Sequence, residues 1–120
     1  MAVPADVSDP EAVEGMVRRG ADELGQLDVM VANAGVAEVK ALLDLTPEDW
    51  DRMMAINLRG NFLCYQEAAR QMIRQGTGKI IGAASIVAYR SVVPDARALL
   101  GLLVGGARAH AGCADGVDRA

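Results

Sequence analysis

The stretch Leu27-Asp28-Val29-Met30-Val31-Ala32-Asn33-Ala34-Gly35 constrains the fold more than any other part of this 120-residue chain. Val29 to Val31 is a short apolar run bounded by turn-forming residues, the pattern of a buried strand in a parallel sheet. The run stops at Asn33-Ala34-Gly35. A small polar turn at the carboxyl end of such a strand is where open α/β sheets bind ligands.

The remaining chain supplies what a parallel sheet needs. Ala2-Val3 reads as the stub of a strand, and Pro4 puts it at an edge or strand end. Ser8 or Asp9 is an N-cap with Pro10 at the first helical position. The helix runs to about Leu24, with Val13, Met16, Val17, Ala21 and Leu24 on one face, and Gly25 ends it. Val36 to Leu45 is a loop with some local order. Thr46-Pro47-Glu48-Asp49 opens a second helix, with a Thr cap, Pro at N1 and acids in the first turn. Its pattern runs through Trp50, Met53, Phe62, Met72 and Ile73, with an interruption near Gly60, and Trp50 and the methionines read as packing residues. Gly76-Thr77-Gly78 stops it, and Lys79 to Ser85 is a second buried strand ending in a hydroxyl. The order strand, helix, strand, helix, strand is that of a parallel α/β sheet.

Composition narrows the function classes. Hydrophobic residues make 52% of the chain and charged ones 23%, which fits a globular protein. The net charge of −4 gives no nucleic-acid footprint. Cys64 and Cys113 form neither a disulfide framework nor a metal spacing, and His110 is the only histidine, so no metal site is expected. No signal peptide or long apolar run is present, so the expectation is a soluble cytoplasmic protein with no membrane partner.

Three polar groups stand out: Asn33 at one strand end, Asn57 within the long helix and Ser85 at the next strand end. Singly, Asn33 is a common turn residue, Asn57 a helix kink or a satisfied buried amide, and Ser85 a cap. Together, 24 and 28 residues apart in the order turn, helix, strand end, they resemble the short-chain dehydrogenase/reductase family. The turn is similar to that family's Asn-Asn-Ala-Gly, with Ala32 for the first Asn, and Ile56-Asn57-Leu58-Arg59-Gly60 and Gly78-Lys79-Ile80-Ile81 match as well. The resemblance covers Ala2 to about Arg90. Val39-Lys40, Asp49-Trp50-Asp51 and Arg70-Gln71-Met72 look most like the acetoin/diacetyl reductase and sugar-alcohol dehydrogenase branch.

The resemblance implies a Rossmann-type, doubly wound parallel sheet and a nicotinamide cofactor, NAD or NADP. Asp6 and Val7 match positions that contact the adenine ring, Asp6 by its side chain and Val7 by its backbone. Asn33, Ala34 and Gly35 match the turn beside the adenosine ribose. Asn57 matches the helix position whose backbone carbonyl holds a proton-relay water, and Ser85 the hydroxyl that donates to the substrate oxygen. The implied partners are a small alcohol or ketone and a second subunit packed on the helix 47–75.

The same resemblance marks departures. No Gly-x-Gly-x-x-Gly opens the chain; Gly76-Thr77-Gly78 precedes a strand instead of following one. The expectation is a partial sheet lacking its first two strands, which leaves Ala2 to Val7 without a neighbour and the Val29 to Val31 strand with an open apolar edge. The family pairs a Tyr with a Lys four residues on, so that the phenol passes a proton near neutral pH. Here Ala69 and Val93 stand four residues beyond Tyr65 and Tyr89, and the only lysines are Lys40 and Lys79. From Ser91 to Ala120 there is no Lys, Glu or aromatic residue. That tail reads either as a small-residue helix over Ala96 to Val104 with a disordered end, or as an out-of-frame translation. A one-base shift over Asp95 to Leu102 permits Met-Leu-Gly-His-Tyr-Ser-Ala-Ser, which looks like the family's Tyr-containing segment. The expected division is a partial Rossmann domain over 1–90 and an atypical tail over 91–120. The expected function is that of an oxidoreductase fragment, inactive alone. The alternative is a pseudoenzyme or interaction fragment that binds a paralogous subunit through helix 47–75.

Overall fold

The computed structural model describes residues 1–38 and 40–85. The expected tail, with Tyr89 and the Ala96 to Val104 segment, lies outside the described residues. Helix α1, Pro10–Leu24, starts as its sequence dictates: the Asp9 carboxylate accepts from the Glu11 amide, Pro10 stands at the first turn, and Gly25 closes the helix at φ 87°. That left-handed conformation carries little cost only for glycine. Strand β1, Val29–Ala32, follows, and then a short 3-10 turn at Leu42–Asp44. Helix α2, Pro47–Met54, opens on a full capping box: Thr46 Oγ1 accepts from the Asp49 amide and the Asp49 carboxylate accepts from the Thr46 amide. A π-helical segment, Ala55–Gly60, joins it to helix α3, Asn61–Gln75, which ends at Gly76 with φ 82°. Strand β2 is Lys79–Gly82.

The two strands are parallel, with Val29 opposite Lys79 and Ala32 opposite Gly82. Both therefore end at the same sheet edge, and the Ala83 amide extends the pairing to the Ala32 carbonyl at 3.2 Å. Helices α1 and α3 pack on each other and α3 on both strands. The core sits between this layer and one sheet face: Val13, Ala32, Leu63 and Cys64 are buried, with Val7, Met16, Met30 and Tyr65 packed around them. Alternation does the rest, because residues two apart on a strand share a face. Met30 and Ala32 face the helices, whereas Val29, Val31 and Ile81 are exposed. Burial of the strands is thus one-sided among the described residues, where the apolar run predicts a covered strand.

Other expectations shift for similar reasons. Ala2 to Asp6 forms no strand, since among the described residues no neighbouring strand stands beside it to pair with. Leu24, at the last turn of α1, is exposed instead of packed. The interruption expected near Gly60 is the π segment, whose hydrogen bonds span one residue more than those of an α-helix. Met53 and Met72 are buried as packing residues, but Trp50 is 46% exposed. No described helix is long and apolar enough to cross a membrane.

Candidate functional site

Two strand ends and one helix build a cavity of about 150 Å³, lined by Ala32 to Gly35, Ala83 to Ser85, Asn57 and Asn61. The parallel register brings the Asn33-Ala34-Gly35 turn and Ser85 to the same edge. The helix presents Asn57 between them.

Asn57 is the pivot. It is 7% exposed, and a buried carboxamide needs partners. Its Oδ1 accepts from the Val36 amide at 2.8 Å, and its Nδ2 donates to the Val36 carbonyl at 2.8 Å and lies 2.8 Å from Met53 Sδ. This two-bond clamp fixes the segment leaving the turn. It also explains Gly35: a Cβ there would stand 3.2 Å from Asn57 Oδ1, so a larger residue would press the clamp apart.

A second carboxamide on the same helix repeats the device at the other end of β1. Gln75 accepts from the Leu27 amide at 3.1 Å, and donates to the Leu27 carbonyl at 2.6 Å and to the Thr77 carbonyl at 2.8 Å. From Asn57 to Gln75 the helix rises about 27 Å. Asn57 and Gln75 thus hold the turn and the foot of the strand from two places on one helical run.

Residues 1–95 match the profile of the short chain dehydrogenase family. The chain belongs to the short-chain dehydrogenase/reductase family. It is 54% identical over 82 residues to a short-chain dehydrogenase/reductase of Armillaria gallica, covering 68% of this chain and 31% of that one. It is 39% identical over 92 residues to an L-rhamnose 1-dehydrogenase (NAD(P)(+)) of a Sphingomonas species, covering 77% of this chain and 34% of that one. Among solved structures it is similar to a short-chain type dehydrogenase/reductase from Mycobacterium marinum, with a TM-score of 0.79 and 36% identity over 85% of this chain and 41% of that one. The chain spans about a third of the length of the curated relatives it matches. Its described part is a portion of their Rossmann fold.

Within that family fold, five of the seven residues expected at the site converge: Asn33, Ala34, Gly35, Asn57 and Ser85 all line the one cavity. Asp6 and Val7 do not line it. The Ser8 amide and hydroxyl both donate to the exposed Asp6 carboxylate, at 2.9 and 2.7 Å, and hold it below the usual carboxylate range. Asp6 thus acts as the turn residue before α1. Val7 is held against Gly60, where an added Cβ would lie 2.8 Å from Val7 Cγ2. Lys40 lies apart, its Nζ 2.7 Å from both Asp49 oxygens and 3.0 Å from Glu38; these bonds, Asp49 first, raise its pKa and lower that of Asp49. Tyr65 packs against the core with its hydroxyl buried and without a hydrogen-bond partner among the described residues. Burial pushes the Cys64 thiol up. Among the described residues no three His, Cys, Asp or Glu side chains group as metal ligands.

Sequence reasoning missed Asn61 in the cavity wall and Gln75 at the foot of β1. Asn61 carried a signal, because residues four apart on a helix share a face. Gln75 carried none, since its partner is a backbone 48 residues away.

Proposed function

We propose that this chain supplies part of an oxidoreductase site in which a hydride passes between NAD or NADP and a small alcohol or ketone. The convergence of the Asn33–Gly35 turn, Asn57 and Ser85 on one cavity carries the reading. The cavity is small beside the ~300–1,000 Å³ of ordinary ligand pockets, so it fits a portion of a dinucleotide. The small residues of the turn leave the backbone open to close approach, as a ribose requires. In this reading the cofactor supplies or takes up the hydride. Ser85 donates its hydroxyl to the substrate oxygen and stabilises the charge that develops there. Asn57 fixes the turn through Val36. Asp6 and Val7 would meet the adenine ring. The Sphingomonas relative is named for a sugar and for either nicotinamide cofactor, which supports a small polyhydroxylated substrate and leaves both cofactors in play.

The 120-residue chain alone is expected to turn over no substrate, because neither tyrosine has a lysine four residues on. We assign residues 1–90 to the Rossmann portion and 91–120 to a separate tail. The test is a chimera in which residues 3–85 replace the matching segment of the Sphingomonas dehydrogenase. It is expected to oxidise L-rhamnose, and Ser85→Ala in it to lose turnover while still binding nucleotide. A folded, nucleotide-binding chimera indifferent to Ser85→Ala would overturn the assignment. Reduction of acetoin by the purified 120-residue chain would overturn the expected inactivity.

A second reading has its own observation. Leu58, Phe62 and Ile73 are 49%, 55% and 79% exposed along the helix, and Trp50 continues the stripe onto α2. Apolar residues left open in such a row suit a helix from a paralogous subunit or a second copy. Light scattering separates the cases: a monodisperse monomer that a full-length paralogue does not capture counts against this partner.

A further inference from the structure

We infer that Asn61 is a positioning residue of the cavity, acting through Asn57. Asn61 stands where the π segment gives way to α3. Its backbone N–H bonds to the Leu58 carbonyl, three residues back. A regular α-helix would direct that N–H to the carbonyl four residues back, which is that of Asn57. The Asn57 carbonyl is reached instead by the Asn61 side chain, whose Nδ2 donates to it at 2.7 Å. The Asn61 side chain inserts at this break in the helix ladder, on the wall of the cavity that Asn57, Asn61 and Ser85 share. A carbonyl oxygen has two lone pairs, so this bond is compatible with the relay water that the family resemblance assigns to the same carbonyl.

Asn57 is consequently held twice, by its carbonyl on Asn61 and by its carboxamide on Val36. The three residues form a relay of amides running from the helix to the end of the Asn33–Gly35 turn. Loosening the first link frees the Asn57 backbone within an already loose π turn, and the clamp on Val36 loosens with it. Asn61 therefore sets where Asn57 and the turn stand relative to Ser85. This rests on the oxidoreductase reading only for its catalytic consequence; the hydrogen-bond relay belongs to the chain itself.

The test uses the isotope-labelled 120-residue chain and nuclear magnetic resonance. The wild type is expected to show a through-hydrogen-bond coupling between Asn61 Nδ2 and the Asn57 carbonyl carbon. Asn61→Val and Asn61→Thr have nearly the same shape, but a helical threonine hydroxyl donates to the carbonyl four residues back. Asn61→Val is expected to move the Asn57 carbonyl resonance upfield and to speed exchange of the Val36 amide roughly fivefold, the net worth of one hydrogen bond. Asn61→Thr restores both. A purely steric role would move Val and Thr alike, so equal behaviour of the two overturns the inference, as does absence of the coupling in the wild type. Should the Val variant fail to fold, the wild-type coupling and the Thr carbonyl shift decide. No turnover enters these readouts, so an inactive chimera and a failed relay are told apart.

Discussion

Replacing Asn57 by aspartate tests the central clamp one bond at a time. The carboxamide accepts from the Val36 amide and donates to the Val36 carbonyl, both at 2.8 Å. A carboxylate of the same shape keeps the acceptor and loses the donor. It also sets a negative charge against the Val36 carbonyl oxygen. Losing one bond costs ~0.5–1.5 kcal/mol net, and leaving a half-buried carbonyl unpaired adds ~1–3 kcal/mol. We expect Asn57→Asp to destabilise the fold by about 2–4 kcal/mol at neutral pH. A protonated carboxyl, however, has an O–H that can donate to the Val36 carbonyl while its other oxygen accepts from the Val36 amide. Burial and the facing carbonyl both oppose the charged form, so the folded-state pKa of the introduced carboxyl lies above the unfolded value of about 3.9. The linkage follows in sign: the penalty is full above the folded pKa, shrinks as pH falls through it, and is gone below the unfolded pKa. Urea titrations across a pH series, with Asn57→Leu as a control lacking any titratable group, measure this directly. The Asn57→Asp deficit should close on acidification while the Asn57→Leu deficit stays level. A deficit that is independent of pH, or that widens in acid, refutes the donor–carbonyl geometry at Val36.

Gln75→Ala removes the bonds to Leu27 and Thr77 and should cost about 2 kcal/mol; in a double-mutant cycle with Asn57→Leu the two costs should add to within about 0.5 kcal/mol, since the two carboxamides lie at opposite ends of the strand and share no partner. Gly60→Ala places a methyl 2.8 Å from Val7 Cγ2 and 3.2 Å from its carbonyl, so ~1–3 kcal/mol of overpacking outweighs the ~1 kcal/mol gained in helix propensity. Gly20→Ala meets nothing within 4 Å and should raise the urea midpoint instead. Asp49→Asn removes the Lys40 ion pair but keeps an oxygen that can accept from the Thr46 amide, so the capping box stands. The lowered Asp49 pKa makes its contribution present above about pH 3.9 and lost as pH falls through the folded value, while the raised Lys40 pKa makes its contribution present below about pH 10.4 and lost as pH rises through the folded value. Thermal midpoints of Asp49→Asn and wild type should therefore differ most between those limits and converge beyond both.

How far the chain could be read before its structure depended on whether the cause was local. Asp9-Pro10, Thr46-Pro47-Glu48-Asp49, Gly25 and Gly76 each mark a helix end through their own backbone chemistry, and each end lies where it was read. The Val29 and Lys79 strands were legible from apolar runs and their parallel pairing from the helices between them. Asn33, Asn57 and Ser85 were legible as a set because a parallel sheet delivers successive strand ends to one edge. Trp50 reads as core but is half exposed, since an aromatic among methionines looks like core whichever way the helix turns. The bare face of Val29, Val31 and Ile81 was likewise invisible, because a residue pattern records a preference for burial and not the presence of a covering layer.

The sequence by itself determined the element order, the helix caps, the family and the residues that gather at the strand ends, all of which follow from short-range backbone preferences and spacing along the chain. Tertiary structure alone decided what those residues do there. Asn57 grips Val36, Asn61 takes the Asn57 carbonyl across a π turn, and Gln75 holds Leu27. A carboxamide both donates and accepts, so composition leaves its partners open, and only the meeting of helix and strand selects them.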